Sequence, residues 1–203
     1  VTDQGYFPSF RFHQPDLEET LRQGIARWSC VDIRTRCDVF SVDPSGETVR
    51  VRYEDLGSGE LKTFHARYVV GCDGSRSTVR RFLGSTMNDL GFNERWLVTD
   101  EMLKKPAPEL GDYSIQFCDP DSPATYVRGT GERRRWEFKL RADETGMTDA
   151  ARVWQRLSRW LTPDDATIER AAFYTFRSAV AHTWRAGPLL IAGDAAHQTP
   201  PFL

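Results

Sequence analysis

Hydrophobic and polar residues follow a helical period near the start of the chain. Apolar side chains recur at steps of four and three residues after Pro15, and proline suits the first turn of a helix. Asp16 and Glu18 follow at once, and negative charge stabilises the positive end of a helix dipole. The pattern predicts an amphipathic helix. Its apolar face is formed by Leu17, Leu21, Ile25 and Trp28.

From residue 37 the hydrophobic period changes to two, which is typical of strands. Alternating runs are separated by turns rich in Gly, Pro, Ser and Asp, so a small antiparallel meander is expected. Its strands are predicted at 38–42, 48–53 and 61–70. The alternation is lost at 68–70, which predicts that the last strand enters a buried position in a larger sheet.

A short helix is predicted after this strand. Ser75 or Ser77 can cap its start, and Gly84 is placed to end it. The side chains expected to face inward are Val79, Phe82 and Leu83.

A second region of alternating strands extends over residues 92–176. Its strands are predicted at 96–99, 113–117, 124–128 and 136–140, with prolines between several of them. Asp149 is placed to cap a helix. The buried stripe of that helix is predicted to contain Val153, Trp154, Leu157, Trp160 and Leu161. A sheet with one covered face can form the roof of a pocket.

Two apolar strands end close to an aspartate. The run 189–192 leads into Gly193-Asp194, and the run 68–70 leads towards Asp73-Gly74. Glycine lets the backbone approach a bound group, and a carboxylate at a strand end can accept hydrogen bonds from a sugar-like hydroxyl. We therefore expect the two ends to meet at one crevice. Asp194 equally suits the cap of a following helix, so both interpretations stay open from the residues alone.

Together these segments resemble the flavin-dependent aromatic hydroxylases, single-component FAD monooxygenases that take electrons from NADH or NADPH. Gly71-Cys-Asp-Gly-Ser-Arg-Ser-Thr-Val-Arg80 is similar to their Asp-Gly motif, and Gly193-Asp-Ala-Ala-His-Gln-Thr-Pro-Pro201 to their Gly-Asp motif. Phe12-His-Gln-Pro-Asp-Leu-Glu18 resembles the segment in which a glutamine meets FAD. Segments 96–100 and 133–138 most resemble the 3-(3-hydroxyphenyl)propionate hydroxylase branch.

The resemblance implies an α/β (α+β) fold: a partial FAD-binding Rossmann-like domain with an inserted substrate domain on a mostly antiparallel sheet. Residues 1–91 are expected to belong to the FAD-binding domain, 92–176 to the substrate domain, and 177–203 to the FAD-binding domain again. The family opens with a Gly-x-Gly-x-x-Gly turn, which does not occur in this sequence, and the sequence starts without Met. The chain is therefore expected to be the middle of a longer protein.

The resemblance also assigns residues to FAD and to NADH or NADPH. Arg76 would help to receive the pyridine nucleotide, because a guanidinium pairs well with a pyrophosphate, and a surface ion pair is the alternative. Gln14 would bind the ribose or ribityl chain of FAD, and a plain capping residue is the alternative. The expected cofactor-binding residues are Gln14, Asp73, Gly74, Arg76, Gly193, Asp194, Ala195, Ala196, His197 and Pro200.

His197 invites a catalytic interpretation because histidine titrates near neutral pH. It follows Asp194 by three residues, a spacing that also suits a metal pair, but no third ligand is apparent. A structural or flavin-adjacent role is therefore favoured. No catalytic residue and no metal site are assigned.

The substrate candidates lie on the strands of the expected roof. They are Gln116, Tyr126, Arg128, Trp136 and Phe138. An alternating aromatic stripe is more often core than pocket, so both interpretations are kept. Arg128 would suit an acidic side chain such as a propionate, and unchanged substrate affinity after Arg128→Ala would contradict that hypothesis.

By resemblance, the full-length protein is an FAD-dependent monooxygenase of aromatic compound catabolism. Reduced FAD reacts with oxygen to give a flavin hydroperoxide, which transfers OH to a phenolic aromatic acid. The protein would hold the ring, favour its phenolate character and exclude water. Polyketide or quinone-like substrates are the alternative within this class. For the isolated chain, expected to be inactive, the alternative of another class is a non-catalytic binding module.

Composition narrows the remaining function classes. The 203 residues include 39% hydrophobic residues and carry a net charge of -2, which is typical of a globular protein without bulk attraction to nucleic acid or membrane. The four cysteines lack zinc or disulfide spacing, so a reduced, cytoplasmic protein is expected. Expected partners are a small aromatic substrate and molecular oxygen, with no nucleic acid and no membrane. A homodimer is compatible with the sequence.

Overall fold

The computed structural model describes residues 3–7, 10–144 and 149–200. These residues form two compact units. The first unit takes its described residues from Val1–Val31 and Glu94–Thr175, and the second from Asp32–Asn93 and Phe176–Leu203. The two units are defined by packing and not by what they bind. The predicted division into an FAD-binding domain and a substrate domain, with boundaries at 91 and 176, therefore stays a prediction.

The secondary structure of the described residues is mixed, with strands in the majority. The helices are α1 (Gln14–Ile25), α2 (Thr78–Leu83) and α3 (Ala150–Leu157), and short 3-10 helices span Pro108–Leu110 and Gly193–Ala195. The strands are β1 (Cys37–Asp43), β2 (Val49–Asp55), β3 (Glu60–Ala66), β4 (Val69–Gly71), β5 (Met87–Leu103), β6 (Ile115–Phe117), β7 (Ala124–Arg128), β8 (Arg133–Lys139), β9 (Ala166–Ala181), β10 (Arg185–Ala186), β11 (Leu189–Ile191) and β12 (His197–Gln198). Most strand pairs are antiparallel, which confirms the predicted fold class.

Helix α1 forms where the period predicts it, with Pro15 in its first turn. Its apolar face, however, is exposed: Leu17 is 39% exposed, Leu21 56% and Ile25 38%. Because no residue of α1 is buried, this face lies outside the core formed by the described residues.

The first unit is built on an antiparallel sheet. Strand β5 pairs with β8, β8 with β7 and β7 with β6, while β9 is the other neighbour of β5. Leu97 lies opposite Phe138, and Thr99 lies opposite Trp136. Since residues two apart on a strand point to the same side, these four side chains share one face of the sheet.

Helix α3 packs against that face. The Asp149 Oδ1 atom accepts hydrogen bonds from the backbone N–H groups of Ala151 at 3.0 Å and Arg152 at 3.4 Å, so Asp149 is the predicted cap. Val153 and Leu157 are completely buried in the same cluster as the sheet residues. The core of the first unit therefore lies between α3 and the sheet.

The second unit contains the predicted meander. Strands β1, β2 and β3 form an antiparallel sheet in chain order, with Val51 between Val42 and Phe64. The run predicted as one strand at 61–70 divides into β3 and β4. Strand β4 belongs to a different sheet, in the order β10-β11-β4.

Helix α2 follows β4 and is capped as predicted. The Ser77 Oγ atom accepts a hydrogen bond from the Arg80 N–H at 2.9 Å, and Gly84 ends the helix at a φ of 77°. Val79 is buried, as is Leu83, but the prediction for Phe82 is wrong, since it is 44% exposed. Val79 and Leu83 fill the helix face that packs on β1 and β11, and Phe82 falls beside that face.

Candidate functional site

The predicted aspartate motifs follow two neighbouring parallel strands of the second unit. Strand β4 pairs with β11 so that Gly71 lies opposite Ile191, and the Ala192 N–H donates to the Gly71 carbonyl at 2.9 Å. Parallel strands have their carboxyl ends at the same edge of a sheet. Asp73 and Asp194 therefore leave the sheet at one edge, which is the geometry expected for a shared crevice.

The carboxylate of Asp73 is bound to the start of helix α2. Oδ1 accepts a hydrogen bond from the Ser77 hydroxyl at 2.5 Å, and Oδ2 accepts from the N–H groups of Thr78 at 2.7 Å and Val79 at 3.1 Å. Partial burial raises the pKa of Asp73, but these donors outweigh burial and lower the pKa below its usual 3.8. Asp73 thus has a structural role as a helix cap, and its contact with a cofactor stays a prediction.

Asp194, unlike Asp73, has a carboxylate that is not bound to any described residue. Its side chain is exposed and makes no hydrogen bond or ion pair with any described residue. The neighbouring Gly193 has a φ of +59°, and Gly74 in the other motif has a φ of +78°; a Cβ atom at either position would meet nothing within 4 Å. Residues other than glycine are disfavoured at such φ values, so both turns depend on glycine. Without a Cβ atom, the backbone of each turn stays open to a bound group.

Arg80 joins the two motifs, a role that was not predicted from the sequence. Its Nη1 atom donates to the Ala195 carbonyl at 2.8 Å, and Nη2 donates to the Ser75 carbonyl at 2.6 Å. The Gln198 Nε2 atom donates to the same Ser75 carbonyl at 3.4 Å. A planar guanidinium can hold two carbonyls in fixed positions, so Arg80 determines the distance between the motifs. Its only sequence signal was its place at the end of the Asp-Gly motif.

The other cofactor candidates have varied surroundings. Arg76 is exposed and unpaired within the described ranges, whereas Ala195 and Ala196 are completely buried. The His197 ring stacks on Trp184, with centroids 5.7 Å apart and an interplanar angle of 12°. Pro200 is half-buried, and Pro201, the last residue of the predicted motif, lies outside the described residues. The cofactor roles of these residues stay predictions.

The described ranges contain no cluster of three or more metal-ligating side chains.

The first unit contains a cavity of about 940 Å³. Its wall includes the segment 10–15, Glu18 and residues of β5, β7, β8 and β9. Gln14 lies in this wall, and its Nε2 atom donates to Glu18 Oε1 at 2.9 Å. The cavity is within the size range of small-molecule sites, ~300–1,000 Å³.

Most charged side chains of the cavity wall are paired. Asp100 accepts from Arg135 Nε at 2.7 Å and lies 3.1 Å from Arg170 Nε. Arg11 and Arg128 both donate to Asp112, at 2.9 and 3.1 Å. Each of these two groups contains two arginines and one aspartate, so every charge has a partner and each group keeps a net charge of +1.

Glu101 and Arg134 are the exceptions. Glu101 is completely buried, and neither of its carboxylate oxygens has a hydrogen-bond partner among the described residues. Burial raises the pKa of Glu101 to about 8, so it carries a proton at neutral pH. Arg134, 6% exposed, lies opposite Glu101 and donates from Nη1 to the carbonyls of Gly131 and Arg133, but its Nε–H has no partner in the described part of the chain.

Neither residue was predicted from the sequence. Glu101 occupies a core-facing position of the same alternation that places Leu97 and Thr99 on the inner face, and a charged residue at such a position is the available signal.

The predicted substrate residues are distributed between core, surface and cavity. Tyr126, Trp136 and Phe138 are 2%, 0% and 2% exposed and pack with Trp160 in the core under α3. Gln116 is exposed on β6. Arg128 does lie in the cavity wall, but its guanidinium also donates to the carbonyls of Gly129 and Gly131. Substrate contacts by these residues stay predictions.

Ligands of open α/β sheets bind outside the carboxyl ends of the strands, which is where both aspartate motifs lie, and the comparison with family models identifies the class of protein. The family model described as FAD binding domain matches residues 2–203. The chain therefore belongs to the FAD-binding domain family, which confirms the resemblance stated above.

Relatives and solved structures agree with this assignment. The chain is 41% identical to a probable NADH-specific resorcinol 4-hydroxylase of Rhodococcus jostii (strain RHA1) over 98% of the chain and 38% of that protein. It is 33% identical to a 3-(3-hydroxy-phenyl)propionate/3-hydroxycinnamic acid hydroxylase of Mycobacterium sp. (strain JLS), over 93% of the chain and 33% of the relative. The chain thus spans well under half of these relatives.

Two solved structures have the same fold. The p-nitrophenol 4-monooxygenase PnpA from Pseudomonas putida DLL-E4 matches with a TM-score of 0.81 and 25% identity, over 94% of this chain and 49% of that one. The flavin-dependent monooxygenase PieE, in complex with FAD and substrate, also has a TM-score of 0.81, at 21% identity over 94% of this chain and 34% of that one.

Among the described residues, no helix combines the length and apolar character needed to cross a membrane.

Proposed function

We propose that the full-length protein is an FAD-dependent, NAD(P)H-using monooxygenase that hydroxylates a phenolic aromatic compound, an aromatic acid being the expected substrate. The observation that carries this proposal is the shared sheet edge of the second unit, where the Asp-Gly and Gly-Asp turns follow β4 and β11. The free carboxylate of Asp194 is the group there that can accept a hydrogen bond from a bound ligand. The relatives' names support the reaction class.

The residues at this edge fit a flavin nucleotide. Asp194 would accept hydrogen bonds from hydroxyl groups of the ribityl chain, while Gly193 and Gly74 leave the backbone open. Arg80 would keep the two turns at a fixed distance. The oxygen-transfer chemistry is supplied by FAD when it is bound, and the flavin hydroperoxide expected from the sequence remains part of the proposal.

In the first unit, Gln14 would contribute to FAD binding, and the cavity beside it would hold the aromatic ring. Phe10 and Phe12 give the cavity wall an apolar surface, and the paired charges give it a polar one. Sites that combine an apolar lining with a few polar groups are typical of small-molecule binding. Exposed Arg76 would meet the pyridine nucleotide, and the name of the resorcinol hydroxylase makes NADH the nucleotide to test first.

The first test is the absorption spectrum of the full-length protein after addition of FAD, followed by NADH and NADPH oxidation with resorcinol, 3-(3-hydroxyphenyl)propionate and a polyketide quinone. Flavin bands and phenol-dependent oxidation are expected. A full-length protein that takes up no FAD would overturn the proposal. A preference for the quinone would change the proposed substrate class but would not contradict the proposal that the protein binds FAD.

Asp194→Ala provides a site-directed test, with Asp38→Ala as its control. Asp38 is also exposed in the second unit and lies on β1. Loss of one charged hydrogen bond to the cofactor should weaken FAD binding about 10- to 150-fold, since such bonds contribute ~1.5–3 kcal/mol. Asp38→Ala should bind FAD as tightly as the unmodified protein.

We further propose that the full-length protein is cytoplasmic and forms a homodimer, and that the isolated chain is inactive. Cell fractionation and size-exclusion chromatography test the first two points. Assay of the isolated chain with FAD, NADH and resorcinol tests the third.

A further inference from the structure

Glu101 and Arg134 form an unusual pair in the cavity wall of the first unit. They lie directly opposite each other on β5 and β8, yet no ion pair joins them in the described structure. Both are more than nine-tenths buried, and each has a polar atom without a partner among the described residues. A buried guanidinium without a counter-charge is costly, so an anion beside it would be strongly favoured.

Neighbouring acids do not supply that anion. Asp100 is shared by Arg135 and Arg170. Glu169 lies 3.7 Å from Arg133, and Glu18 accepts the amide of Gln14. Glu101 is therefore the only acid of the described cavity wall without a partner.

We propose that Arg134 and Glu101 bind the anionic oxygen of an aromatic ligand in this cavity, an inference that rests on the proposed function. The Arg134 Nε–H would donate to the ligand oxygen as a charge-assisted hydrogen bond. Protonated Glu101 would donate its O–H to the same oxygen, since a neutral carboxyl group is a donor. A phenolate and a carboxylate share this chemistry, so either group can occupy the site.

Glu137 provides a matched control for Glu101. It is 6% exposed, its Oε2 atom lacks a partner among the described residues, and it lies on the same sheet. Glu137 pairs with Val98 and Thr125, on the sheet face opposite to that of Glu101, and it is not part of the cavity wall. A substitution there changes a buried glutamate without changing the proposed site.

The test is calorimetric titration of the full-length protein, loaded with FAD if it binds FAD, with three ligands. Resorcinol supplies a phenol that can bind as its phenolate with release of the proton to solvent, 3-(3-hydroxyphenyl)propionate adds a carboxylate, and benzyl alcohol supplies neither. Arg134→Met should weaken binding of at least one of the first two about 10-fold and leave benzyl alcohol unchanged. Arg134→Lys should restore most of the affinity because it keeps the charge.

Substitutions of Glu101 test the second donor. Glu101→Leu should weaken the same ligand about 10-fold, whereas Glu101→Gln should stay within about 3-fold, because the amide N–H still donates. Glu137→Gln should bind as the unmodified protein does. The pattern of losses identifies the oxygen: a similar loss for both ligands indicates the phenolate that they share, and a loss confined to the propionate indicates the carboxylate.

The proposal fails if Arg134→Met and Glu101→Leu bind both acidic ligands within 2-fold of the unmodified protein. Should Arg134→Met not fold, the comparison of Glu101→Leu with Glu101→Gln still decides the result, because a leucine fits a buried site. Calorimetry does not depend on flavin colour or turnover. A protein that binds these ligands through Arg134 but does not oxidise NADH would therefore contradict the proposed function and leave this site intact.

Discussion

The Arg80 guanidinium donates a hydrogen bond of 2.8 Å to the carbonyl of Ala195, a residue 115 positions away in the chain. Its other terminal nitrogen holds the Ser75 carbonyl at 2.6 Å. One side chain thus links the turn after β4 with the turn after β11. Backbone pairing fixes the strands, but Arg80 fixes the loops that follow them.

Arg80→Ala should therefore loosen the paired turns. We expect FAD binding to weaken about 10-fold and the free energy of unfolding to fall by about 3 kcal/mol, because two hydrogen bonds from a charged donor are lost and each contributes ~1.5–3 kcal/mol. Fluorescence titration with FAD and urea unfolding measure the two effects. Arg81→Ala is the control, because Arg81 is exposed on the same helix and its side-chain hydrogen bond is local, from Nη2 to the Thr78 hydroxyl at 3.0 Å. Equal effects of both substitutions would assign the loss to helix α2 rather than to the link.

The cap of helix α2 predicts an acid-sensitive contribution to stability. Because the pKa of Asp73 is lower in the folded protein, its carboxylate stabilises the fold above pH 3.8, and this stabilisation is lost as the pH falls below that value. Asp73→Asn should lower the free energy of unfolding at pH 7 by about 1 kcal/mol, as for other helix caps. The difference should shrink as the pH falls below 3.8 in urea unfolding experiments, and a difference that stays constant as the pH falls would contradict the role of the charge.

The fold followed from the sequence where local patterns decide it. The period of two gave the meander, and Asp149 and Gly84 marked helix ends that the structure confirms. Loss of alternation at 68–70 predicted entry into a larger sheet, but the break between β3 and β4 did not follow, because it depends on pairing with β11, which lies more than a hundred residues later. The exposed stripe of α1 shows the same limit, since a period predicts an apolar face but not what covers it.

The candidate site was predictable as motifs but not as contacts. Asp73 and Asp194 look alike in sequence, yet one caps a helix and the other has a free carboxylate, a difference that only the positions of nearby N–H groups decide. The alternation of 124–128 and 133–139 placed several aromatic residues on one face, but it did not say which face α3 would cover.

The aromatic substrate candidates should accordingly behave as core residues. Phe138→Ala should lower the free energy of unfolding by about 3–5 kcal/mol, because it leaves a cavity between the sheet and α3. Gln116→Ala, on the exposed strand β6, should change it by less than about 0.5 kcal/mol. Thermal unfolding compares the two variants. If Phe138→Ala were as stable as the unmodified protein but had lost ligand binding, the result would indicate that Phe138 contacts the substrate.

Buried Glu101 predicts a stability profile of the opposite sign to that of Asp73. Its pKa is raised from 4.5 to about 8 in the folded protein, so the folded state holds a proton that the unfolded state has released between these values. The contribution of Glu101 to the free energy of unfolding should therefore be greatest below pH 4.5 and should fall as the pH rises to 8. At ~1.4 kcal/mol per pKa unit the loss is at most roughly 5 kcal/mol. Glu101→Gln removes the titration, so its unfolding free energy relative to the unmodified protein should rise steadily between pH 5 and 8 in urea experiments. A relative stability that does not change with pH would show that Glu101 is ionised in the folded state, and would remove the proton donor from the proposed ligand site.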